Sequence, residues 1–86
     1  MVDQKNVKEA VKGFFKSRGI VNIRYVKVNV NEHEGLIHIG IYIDKPISLT
    51  TLVDLTTELS SKFKLSNWLI YAPHGRLIRL TGSIIK

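Results

Sequence analysis

Two groups of residues in this chain have the types and spacing to hold an anion. Lys5, Lys8, Lys12 and Lys16 recur at intervals of three and four. On a helix, at 100° per residue, they fall within an arc of roughly 80°. Such a row can track phosphates. It is equally the pattern of a solvated helix face, with Glu9 one turn from both Lys5 and Lys12. The second group lies on segments that alternate like strands. Ile37, Ile39, Ile41 and Ile43 alternate with His38, Gly40, Tyr42 and Asp44. If the isoleucines point inward, His38 and Tyr42 point outward. Lys27 and Asn29 follow on the preceding strand, and Arg79, Thr81 and Ser83 on the last, with Tyr25 or Tyr71 as further rings. Aromatic rings among Lys and Arg on a sheet can stack bases and neutralise phosphates, so Lys27, Tyr42 and Arg79 are the central candidates. A sheet face of this kind also suits protein–protein contact or self-association.

Acidic residues offer less. Glu32, His33 and Glu34 cluster in "NEHEG", and Asp54 and Glu58 sit one turn apart. Ca²⁺ takes about six to eight oxygens, and neither set is complete. Glu32, Glu34, Asp54 and Glu58 would therefore hold a divalent cation weakly at most, and no resident cofactor is expected. Catalytic patterns are missing as well. There is no cysteine, His74 follows Pro73 in a turn, and no serine stands in a nucleophile elbow. The expectation is a non-enzymatic binding domain.

Composition supports that expectation. Thirteen Lys and Arg against seven Asp and Glu give +6 and a pI near 9.8. This balance favours anionic partners: nucleic acid, a ribonucleoprotein, an acidic protein or an anionic surface. With 44% hydrophobic and 23% charged residues the chain reads as globular. Its 86 residues predict one domain, 1–86, with a single two-layer core. No apolar run reaches the ~18 residues of a membrane span, and "MVDQKNVKEA" does not read as a signal peptide. Cytoplasmic location and no membrane partner are the default.

The elements that must position these residues can be read in order. Asp3 is placed to cap a helix over residues 4–18, with Val7, Val11, Phe14 and Phe15 inward and Gly19 as the stop. Residues 20–31 read as a strand in which Val26, Val28 and Val30 share one parity and Val21 and Ile23 the other. That change of phase predicts a bulge near Tyr25. "NEHEG" is a hairpin turn, followed by the isoleucine strand. Pro46 ends that strand because it has no N–H to give. Ser48 caps a second helix, with Ile47 and Leu52 placed to staple it. Leu49, Leu52, Val53, Leu55, Leu59 and Phe63 form its expected apolar face. "NWLIYA" at 67–72 is a third strand, "PHG" a turn, and 77–85 a fourth strand with Ile78, Leu80 and Ile84 inward. Trp68 is expected to be core or half-buried. The order is αββαββ, an α+β two-layer sandwich with two helices on one face of a mainly antiparallel four-stranded sheet.

The stretch "LIHIGIYIDKPISLTTLVDLTTELSSKF" resembles the strand, loop and second helix of the N-terminal domain of the ribosome maturation factor RimP. "VKEAVKGFFKSRGI" is similar to that family's opening helix, glycine and strand, and "YAPHGR" is a loose counterpart of its Ser-Pro-Gly turn. The resemblance implies the same αββαββ layout and an association with ribosomal particles. The cytoplasmic domains of cation diffusion facilitator transporters show a similar junction, which would imply dimerisation and divalent-cation binding. "YIDKPISL", shared by both patterns, reads as a signature of the fold.

Overall fold

The computed structural model describes residues 2–85. Helix α1, Gln4–Ser17, starts where the Asp3 carboxylate accepts the Lys5 N–H at 2.9 Å. It ends where Gly19 enters the left-handed region at φ 68°, with the Ile20 N–H returning to the Phe15 carbonyl at 3.0 Å. Strand β1, Ile23–Asn31, breaks register between Ile23 and Tyr25, at the predicted bulge. Past the bulge Val26 and Val28 face inward and Tyr25, Lys27 and Asn29 outward. The turn to β2, Leu36–Ile43, closes on Gly35 at φ 71°, and the Asn31 amide donates to the Glu34 carboxylate at 2.7 Å.

Ser48 starts α2, Leu49–Phe63, by accepting the Thr51 N–H at 3.2 Å, while Ile47 packs against the core. Two residues assigned above to the apolar face of α2 lie elsewhere. Leu49 and Val53 are 64% and 47% exposed, and Thr56 is buried in their stead. The Thr56 hydroxyl donates to the Val53 carbonyl at 2.7 Å, which satisfies it without water. The buried stripe of Leu52, Leu55, Thr56 and Leu59 spans about 100° of the helix, and Val53 falls outside it.

The last two strands are β3, Leu65–His74, and β4, Leu77–Ile84. The tight turn therefore sits at Gly75 and Arg76, just after "PH". All pairings are antiparallel and the strand order is β1-β2-β4-β3. Helix α1 lies over β1, α2 beside β3, and the two helices touch. Their buried side chains meet Ile37, Ile39, Ile41, Ile43, Ile78 and Leu80 in one core. This is the expected α+β sandwich with both helices on one face. Among the described residues none forms a layer over the opposite sheet face.

Candidate functional site

Strand register sorts the open face into rows that run across the sheet. The central row is Lys27, Gly40, Arg79 and Tyr71. On one side of it lie Tyr25, Tyr42, Leu77 and His74, and on the other Asn29, His38, Thr81 and Leu69. Neighbouring strands are about 4.8 Å apart, so the backbones of Lys27 and Arg79 are about 10 Å apart across Gly40. A depression of about 350 Å³ opens there, lined by Lys27, Asn29, His38, Gly40, Tyr42 and Arg79. It exists because Gly40 carries no side chain. A Cβ at Gly40 would meet Leu77 Cδ1 at 3.7 Å and Tyr42 Cε1 at 3.9 Å, ordinary contacts with the two side chains that lean over it.

The face around this depression varies in chemistry. Tyr25 and Tyr42 stack obliquely, with ring centroids 5.6 Å apart and planes at 49°. Tyr71 and Leu69 stand exposed on the β3 side, and Leu69 is 65% accessible. The Thr81 hydroxyl and His38 Nδ1 lie 3.4 Å apart. None of the three rows contains Asp or Glu. Among the described residues the ion pairs are Arg24–Asp44 at 3.5 Å and Lys62–Glu58 at 3.8 Å, so Lys27 and Arg79 have no carboxylate partner there. Desolvating an anion between them meets attraction from both sides and repulsion from neither.

Helix α1 presents its four lysines unequally. Lys8 bends around the outer edge of β1, and its Nζ lies 5.5 Å from the centroid of the Tyr25 ring, within cation–π range. Lys12 and Lys16 line a groove of about 310 Å³ between α1 and the start of β1, together with Ile20, Arg24 and Tyr25. Lys5 is exposed one turn nearer the helix N-terminus. The stripe and the open face are thus adjacent at β1, which sequence spacing alone does not reveal. Sequence reasoning placed Lys27, Tyr42, Arg79, His38 and Thr81 outward, and both Tyr25 and Tyr71 join them. It passed over Gly40, although a glycine inside a strict Ile alternation is itself a sign of close approach to the backbone.

The acidic candidates are dispersed. Among the described residues no three His, Asp or Glu side chains gather as a metal site. Glu34 is tied to Asn31, Glu58 to Lys62, and Glu32 and Asp54 lie exposed on separate elements. His74 Nδ1 accepts the Arg76 N–H at 3.2 Å, a turn contact. No described helix is long and apolar enough to cross a membrane. In comparisons with known proteins the chain matches no family model and no curated protein.

Proposed function

We propose that the chain is a non-enzymatic binding domain whose open sheet face takes nucleic acid, free or within a ribonucleoprotein such as a ribosomal particle. One observation carries the proposal: Lys27 and Arg79 flank an open, acid-free depression over Gly40 with Tyr42 in its wall, on a face that also bears Tyr25 and Tyr71. Unpaired cations suit phosphates, and exposed rings suit bases of any sequence. The net charge of +6 points the same way.

Self-association through the same face is the second reading, favoured by exposed Leu69 and Tyr71. A two-fold contact brings the same patch of each copy together. Lys27 and Arg79 would then be brought against an equally basic, acid-free patch, and like charges brought together across an interface cost several kcal/mol. A polyanion has no such penalty.

Fluorescence anisotropy with a single-stranded oligonucleotide over a salt series separates the two. Phosphate binding should weaken with a log–log slope of about −0.7 per phosphate contacted. Arg79→Gln and Lys27→Gln should each flatten that slope. Oligonucleotide affinity that ignores salt, or sedimentation showing a dimer whose formation hides the face, would replace this reading with the second.

A further inference from the structure

Two basic surfaces exist on this molecule, and they face different ways. One is the open sheet face around Gly40. The other is the lysine row on α1, in the layer on the opposite side of the sheet. They meet around the edge of β1, where Lys8 Nζ sits over the Tyr25 ring and Tyr25 stacks against Tyr42. From that corner the groove bearing Lys12, Lys16 and Arg24 continues along α1. A ligand that touches both surfaces must turn around a strand edge on a body measuring only 35 × 26 × 21 Å.

We infer that the occupant is an unpaired nucleic-acid strand that crosses the sheet and wraps this edge. The inference rests on the reading of the open face given above and specifies its ligand and path. The strand runs from Tyr71 over Arg79, Gly40 and Lys27, passes Tyr25 and Lys8, and continues past Lys12 and Lys16. Duplex DNA has a persistence length of about 50 nm, so a turn this tight carries a deformation cost that a single strand does not bear. The rings favour the same choice. Tyr71 and Tyr25 are each about half exposed on this face and can meet bases that are already unstacked, whereas a duplex keeps its bases stacked inside. Lys8 has two roles at the corner: its ammonium lies on the Tyr25 ring and is available to a phosphate that passes there.

The test compares labelled single strands of about 4 and about 12 nucleotides, a range of lengths that single-strand binding sites occupy, with a duplex of the longer sequence. Each is titrated at several salt concentrations against the full chain, Arg79→Gln, and the double variant Lys12→Gln/Lys16→Gln. These side chains are exposed, and thermal midpoints no lower than that of the full chain confirm intact folds. The 12-mer should bind more tightly than either the 4-mer or the duplex. Its salt slope should flatten by up to about 1.4 in the double variant, two contacts at about 0.7 each. The 4-mer should respond to Arg79→Gln far more than to the double variant. If the duplex binds as tightly as the 12-mer, or the double variant leaves the 12-mer slope unchanged, the wrapped path is overturned while the face remains a site. If no strand binds at low salt, the path and the reading of the face fall together.

Discussion

Gly40 and Gly82 stand in neighbouring strands with opposite consequences. At Gly40 a Cβ would point to the open face and meet nothing nearer than 3.7 Å. At Gly82 it would point into the core and lie 2.9 Å from Trp68 Cζ3. The indole cannot retreat easily, because its Nε1 donates to the Ser60 hydroxyl at 2.7 Å and its ring packs against the core. Gly82→Ala should therefore cost about 1–3 kcal/mol in urea unfolding, the usual penalty of overpacking. Gly40→Ala should change stability by less than about 1 kcal/mol, and in the stabilising direction, since the unfolded chain loses freedom. Equal losses at the two positions would mean that the depression is not open. Part of this contrast was legible. The Ile alternation of β2 puts Gly40 on the outward parity, whereas the Gly82–Trp68 contact depends on β3. That strand breaks register between Ser66 and Leu69, where Asn67 takes φ 52°, and no alternation rule supplies the phase beyond it.

Elements whose apolar pattern repeats without interruption were readable nearly to the residue. Strand β2 buries Ile37, Ile39, Ile41 and Ile43 on one face, as its period of two requires. Ile39→Ala or Ile41→Ala should lower stability by about 2–5 kcal/mol, because both side chains are closed in by the helices and leave a cavity. A loss below ~1 kcal/mol in denaturant titration would contradict the burial. Helix α2 was harder to read because its apolar residues outnumber the positions its packing can cover. Six candidates spread over more of the circumference than one layer of contacts encloses, and the tertiary fit selected among them. It admitted Thr56 because a back-bond to Val53 removed the cost of its hydroxyl.

For the molecule as a whole, positive charge exceeds negative, and among the described residues little of it is paired. The two ion pairs among the described residues are both exposed, and such pairs are worth about 0–1 kcal/mol. Repulsion among the remaining cations opposes the compact state. Thermal unfolding should thus shift to higher temperature as salt rises from about 10 mM to about 300 mM, where screening shortens to a few ångströms. A shift to lower temperature would show that favourable pairs outweigh the repulsion. The global strand order was beyond sequence reading for a related reason. Two hairpins can join along either of their strands, and the choice rests on which strands the helices can cover. Strands β2 and β4, with the most regular inward residues, ended in the middle.

That central seam between β2 and β4 governs how the chain must fold. Each hairpin closes locally, but the seam joins residues as distant as Leu36 and Ser83, with all of α2 between them. The entropy of closing that long loop is lost before the seam returns any contact energy, so forming the seam is the natural slow step. Until it forms, one side of each hairpin's ladder is open to pairing with another chain. The outer edges, by contrast, are guarded in the native fold. The Gln4 side-chain carbonyl accepts the Val30 N–H on β1 at 3.1 Å, and β3 carries Pro73. Aggregation during refolding would therefore arise at the edges that become the centre of the native sheet.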